Sequence, residues 1–219
     1  MSAGERLRFR EDLASAGVLD AALLTADSDT LVVTFHGSLD RSKYRIPRFE
    51  RARTTEVHGT SCLYWADPSL WLDDSLALAW YTGAGSINLL SMLAERSADV
   101  ARLVGANRII FTGSSGGGFA ALQTSALIDA STALVFNPQT EISRYWQTVQ
   151  RKYLYWTNTN DWHHARHFRP FRNAVQADGD HGQRLTTHSY KGEKGHHTPS
   201  ASMFTRALEN ALVVARPRE

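Results

Sequence analysis

A single cysteine, Cys62, excludes an internal disulfide framework and any metal site built from cysteine alone. No apolar run reaches 18 residues, so the sequence supports no membrane-spanning helix. Neither charge is in large excess: 24 Lys and Arg stand against 22 Asp and Glu, a formal charge of +2. A nucleic-acid binder needs a strongly basic face, and this balance argues against one. The first ten residues carry charges with no apolar stretch behind them, unlike a secretory signal, and a cytoplasmic protein is the default expectation. There is no internal repeat and no low-complexity segment. With 42% apolar and 21% charged residues, the chain has enough to build one packed core.

The whole chain, 1–219, reads as one domain. Residues 1–29 are the part whose structure stays open: 11–16 fit a short helix stopped by Gly17, and 21–24 fit either a helix or a first strand. Beyond them, short apolar runs end in turn residues. They are Thr30–Phe35, Cys62–Trp65, Arg108–Thr112, Ala133–Phe136, Tyr153–Thr157 and Arg184–Tyr190. Runs of four to six near-continuous apolar residues suit strands buried on both faces. Helical spacing marks Ser86–Val104, Gly116–Ile128 and Ser200–Val214 between and after them. Strands alternating with helices predict an α/β fold, a mainly parallel sheet flanked by helices.

Gly113-Ser114-Ser115-Gly116-Gly117 reads G-x-S-x-G, after a predicted strand and opening a predicted helix. A serine there sits on a strained strand-to-helix turn that projects its hydroxyl above the sheet edge. Only Ser115 has glycine two residues before and two after. No Lys-Ser or Lys-Thr follows, which disfavours a phosphate-cradling P-loop. A plain Gly/Ser turn is the bland alternative.

The motif and the alternation resemble the α/β-hydrolase superfamily, over about residues 30–212. That resemblance implies a serine hydrolase without a lid domain, with an acid after a later strand and a histidine near the C-terminus. Asp161 closes the Tyr153–Thr157 strand, and Gly195-His196-His197-Thr198-Pro199 follows the last one. The implied triad is Ser115, Asp161 and His196, with His197 the alternative base and Glu141 the alternative acid. Asp178 and Asp180 are weaker candidates for the acid. Asp161 also fits a simple helix cap, and His196 a solvated loop histidine. For the oxyanion the resemblance implies the N–H of Gly116 and, from Phe35-His36-Gly37-Ser38, that of Ser38, with Gly37 equally placed. His36, Gly37, Ser114 and Trp162 are candidate substrate contacts.

His163 and His167, four apart, suit one helix face, and Asp161 or His181 would add a metal ligand. The H-E-x-x-H signature is missing, so the expectation is no metal and no cofactor. From Arg41 to Arg53 there are six basic residues and one acid, Glu50, which fits either a solvated face or an anionic substrate. Asn137-Pro138-Gln139-Thr140 and residues 158–171 resemble small bacterial α/β-hydrolase-like proteins linked to cell-surface polysaccharide production. That resemblance implies an acylated glycan as ester substrate, with a small-molecule ester the other option. Hydrolysis, acyl transfer by the same residues, and a non-catalytic binding module on this fold all remain open, as does the oligomeric state.

Overall fold

The computed structural model describes residues 2–83, 87–139, 152–169, 172–173 and 185–214. Among these, eight strands form one sheet in the order β1-β2-β4-β3-β5-β6-β7-β8. The strands are β1 (Arg6–Asp12), β2 (Val18–Leu24), β3 (Thr30–Phe35), β4 (Ser61–Trp65), β5 (Arg108–Ser114), β6 (Ser131–Phe136), β7 (Lys152–Asn158) and β8 (Leu185–Tyr190). Only β2 runs against the rest, pairing antiparallel with β1 and β4. The helices are α1 (Ala52–Thr55), α2 (Leu89–Leu103), α3 (Gly116–Ala126) and α4 (Ala201–Val214).

The six predicted strands are all present, within two residues of their expected ends. In β3 to β7 the side chains alternate between two cores, as a pleated sheet covered on both faces requires, whereas β8 is an edge strand and largely exposed, unlike the expected strand buried on both faces. Leu31, Val33, Phe35, Ile109, Phe111, Ala133 and Val135 share one core with Leu89 and Leu93 of α2 and Ala120 and Ala121 of α3. Val32, Cys62, Tyr64, Ile110, Leu134 and Phe136 face the other way, onto Phe204, Ala207, Leu208 and Ala211 of α4. The spacing of the α4 set (three, one, three) is that of one helical stripe. Cys62 is fully buried, and burial pushes its thiol pKa up, as suits an inert core residue.

Residues 6–24 form a hairpin of β1 and β2; of the short helix expected over 11–16 a single 3-10 turn, Ala14–Ala16, is present and ends at Gly17, and 21–24 are strand. The edge strand β1 is exposed and alternates basic with apolar residues. Gly17 turns the chain at φ +90°, with Pro68 O only 2.0 Å from where a Cβ would stand, so no other residue fits there.

The strand order places the site. From β3 the chain crosses to β4 on one side, then returns to β5 on the other. The C-terminal ends of β3 and β5 are neighbours, with Phe35 opposite Gly113. This reversal of direction opens a crevice at the sheet's carboxyl edge, where ligands bind in such folds. No helix among the described residues is long and apolar enough to cross a membrane.

Candidate active site

Ser115 stands between the last residue of β5 and the first of α3, at φ 55° and ψ −120°. A side chain rarely tolerates that backbone, and three hydrogen bonds hold it. Its N–H donates to Phe136 O (3.0 Å), and its carbonyl accepts from the N–H groups of Phe119 and Gln139 (3.1 Å each). The flanking glycines are required by contact. A Cβ on Gly113 would lie 2.4 Å from the Gly117 carbonyl, and one on Gly117 would lie 2.3 Å from Phe35 O. Ser115 Oγ is covered and has no hydrogen-bond partner among the described residues. Leu78 lies over the neighbouring Gly116, its Cδ1 2.4 Å from the position of a Cβ there.

The acid and histidine loops are tied together. Asn158, at the end of β7, donates from Nδ2 to Glu193 O (2.8 Å) and accepts at Oδ1 from Gly192 N–H (2.9 Å). Asn160 Nδ2 donates to Gly192 O at 2.8 Å. These bonds hold the 191–197 loop against the turn that carries Asp161. Asp161 Oδ2 is 2.8 Å from His196 Nδ1. Its Oδ1 accepts from the His163 N–H (2.9 Å) and lies 3.0 Å from His163 Nδ1. One carboxylate oxygen thus caps the turn and faces the His163 ring, and the other faces His196. Burial pushes the Asp161 carboxyl pKa up. The bonds from the His163 backbone, His196 and the His163 ring outweigh it and hold the pKa below the usual carboxylate value.

Of the two loop histidines it is His196 that meets Asp161; His197 is exposed and its Nε2 faces Lys194 O at 3.2 Å. No hydrogen bond joins Ser115 Oγ to His196. The alternative acid Glu141 lies outside the described residues, as do Asp178, Asp180 and His181.

The loop after β3, where the oxyanion donors are expected, is braced from below. His36 N–H donates to Tyr81 Oη (2.9 Å), whose hydroxyl donates to Trp65 O (3.0 Å). The His36 ring spans Gly37 O (Nδ1, 2.8 Å) and Asp67 N–H (Nε2, 3.0 Å). Asp67 in turn accepts from the N–H groups of Ser69 and Tyr81. His36 is 1% exposed, and burial lowers its pKa to about 4, so a neutral ring donates at Nδ1 and accepts at Nε2. The expected substrate contact at His36 is thus corrected: both ring nitrogens are spent on holding the loop. Gly37 N–H is also engaged, donating to Glu50 Oε2 at 3.0 Å. The N–H groups of Ser38 and Gly116 have no acceptor among the described residues. Ser114 is buried at the end of β5. Trp162 is 51% exposed, its ring centroid 3.7 Å from that of His163 and 6.4 Å from that of His196.

The sequence reading passed over His163 as a partner of Asp161, although Asp-x-His is the spacing by which a carboxylate that caps a turn also reaches a ring two residues on. The rings of His163 and His196 are 3.9 Å apart. Potential ligand atoms of Asp161, His163 and His196 lie within 4.8 Å of one another, so a metal ion could be held there. That trio differs from the His163 and His167 pair weighed from spacing; the side chain of His167 is outside the described residues.

No protein-family profile matches the chain. No curated protein matches it by sequence. Solved structures do resemble it. One is a chain of the Glycosylation Associate Protein (Gap123) complex from Streptococcus agalactiae, at 12% identity and TM-score 0.69, over 94% of this chain and 46% of that one. This chain thus spans about half the length of that relative. Another is the capsule O-acetyltransferase of Neisseria meningitidis serogroup A, at 11% identity and TM-score 0.63, over 90% and 91%. A third is an α/β serine hydrolase without lid from Xanthomonas campestris, at 13% identity and TM-score 0.65, over 100% and 99%. Together with the strand order, these likenesses establish that this chain has the α/β-hydrolase fold.

Proposed function

We propose that the protein is a serine hydrolase that cleaves carboxylic esters through an acyl-enzyme. Ser115 is the nucleophile, His196 the base, Asp161 the carboxylate that orients it, and the N–H groups of Gly116 and Ser38 the oxyanion donors. The observation that carries this reading is the 2.8 Å contact between Asp161 Oδ2 and His196 Nδ1, on loops that follow β7 and β8.

In the proposed reaction Ser115 Oγ attacks the ester carbonyl as His196 Nε2 takes its proton. Negative charge on the carbonyl oxygen is met by the two N–H donors. His196 returns the proton to the departing alcohol, leaving an acyl group on Ser115. Water then attacks with the same proton relay, and the acid leaves. Asp161 fixes the ring with Nδ1–H toward itself and balances the imidazolium. The Ser115 to His196 hydrogen bond is made when substrate settles, since such bonds are often long before binding. Trp162 at the rim is the proposed substrate contact, with Ser114 beneath.

A second reading, transfer of the acyl group to an alcohol of a glycan, draws on the likeness to the capsule O-acetyltransferase. The cover over Ser115 Oγ also favours it, because excluding water favours another acceptor.

The test is hydrolysis of 4-nitrophenyl acetate and labelling by a fluorophosphonate. Both are expected in the wild type and neither in Ser115→Ala. Unchanged activity in that variant would overturn the reading. Product partitioning with added sugar alcohols decides between water and a glycan hydroxyl as acceptor.

A further inference from the structure

Beside this site lies a cavity of about 540 Å³, lined among others by Arg48, Glu50, Arg51, Arg53 and Thr198. Its wall touches both loops of the site. Glu50 accepts the Gly37 N–H of the oxyanion loop. Arg51 donates to Pro199 O at 2.5 Å, and Thr198 is two residues from His196.

Three arginines line the cavity with one glutamate, and that carboxylate is engaged. Glu50 Oε2 holds Gly37 N–H, and Oε1 lies 3.7 Å from Arg51 Nε. Arg51 Nε is buried without a hydrogen bond. Arg48 stacks on Tyr44 with its guanidinium carbon 4.3 Å from the ring centroid. A stacked guanidinium keeps its N–H edge available for an anion. Neither Arg48 nor Arg53 forms an ion pair among the described residues. Three arginines against one engaged carboxylate leave the polar wall net positive, and guanidinium forks match phosphate oxygens in number and geometry.

We propose that this cavity binds a phosphate-bearing part of the ester substrate, held by Arg48, Arg51 and Arg53. The word substrate rests on Ser115 being the nucleophile; the anion site itself does not.

The experiment is calorimetric titration of the full chain with inorganic pyrophosphate at low ionic strength. Saturable binding is expected in the wild type and equally in Ser115→Ala. Arg48→Gln and Arg53→Gln are each expected to weaken it about tenfold. Arg102→Gln, remote on α2, is expected to leave it unchanged and so separates a built site from general charge. Pyrophosphate should also inhibit 4-nitrophenyl acetate hydrolysis by the wild type. No saturable binding, binding indifferent to both Arg48 and Arg53, or malonate bound as tightly as pyrophosphate overturns the proposal. Binding with the expected Arg dependence but no ester hydrolysis upholds the anion site and overturns the catalytic reading alone.

Discussion

Asp161 holds two imidazoles at once, His196 through Oδ2 at 2.8 Å and His163 through Oδ1 at 3.0 Å. The carboxylate thus has no oxygen left over to swing, and its orientation is fixed from both sides. Asp161→Asn replaces one acceptor oxygen with a donor amide and presents the wrong partner to one ring. On the proposed mechanism kcat for 4-nitrophenyl acetate should fall about 10³–10⁴-fold, with KM little changed. A loss under tenfold would remove Asp161 from the proton relay.

Asn158 clasps the histidine loop by both amide atoms. Asn158→Ala frees that loop, and with it the position of His196, while leaving every reacting side chain chemically intact. The expected result is a kcat lower by about 10–100-fold, since small misplacements of a reacting group are costly. Partial recovery is expected in Asn158→Asp, which keeps the acceptor for Gly192 N–H. Steady-state kinetics on both variants checks the order.

Leu78 lies over Gly116, and its segment is tied down on both sides. Leu39 N–H donates to Ala77 O at 2.8 Å, and Trp80 Nε1 donates to Gln139 Oε1 at 2.7 Å. Leu78→Ala should open the approach to Ser115. Its kcat/KM is expected to rise about tenfold for a 4-nitrophenyl ester with a long acyl chain and to change little for the acetate. Equal effects on both esters would show that Leu78 does not shape the acyl pocket.

Buried His36 has its pKa lowered to about 4, against about 6.5 once unfolding exposes it. Between those values the unfolded chain takes up a proton that the folded chain does not. Stability is therefore full above pH 6.5 and declines as pH falls toward 4, by about 3 kcal/mol from this group alone. His36→Gln keeps an acceptor for Asp67 N–H and cannot titrate. Urea unfolding at pH 7 and pH 5, followed by tryptophan fluorescence, should show a smaller acid loss in the variant, despite a lower stability at pH 7.

The central strands β3 to β7 were legible because their apolar runs are continuous, and the edge strand β8 from its Leu-Thr-Thr-His-Ser-Tyr run ending at Lys191-Gly192. β1 was not, because an exposed edge strand alternates Arg with Leu and Phe and carries no core signal. β2, Val-Leu-Asp-Ala-Ala-Leu-Leu, has residues of good helix propensity, and its strand state is imposed by pairing with β1 and β4. At the site, Ser115 could be read from glycine spacing, a purely local requirement. The choice of His196 over His197 could not, because it depends on how Asn158 and Asn160 orient a loop some 35 residues away in sequence. The bracing role of His36 was not legible for a similar reason: its partners Asp67 and Tyr81 are distant in the chain.

The backbone at residue 115 carries a consequence for variation. At φ 55° a residue without a side chain relaxes where serine cannot, a difference of order 1–3 kcal/mol. Screening random variants for heat resistance alone should therefore enrich glycine at 115, and the hardiest survivors would be those stripped of their hydroxyl. Folding and the proposed chemistry pull this position in opposite directions.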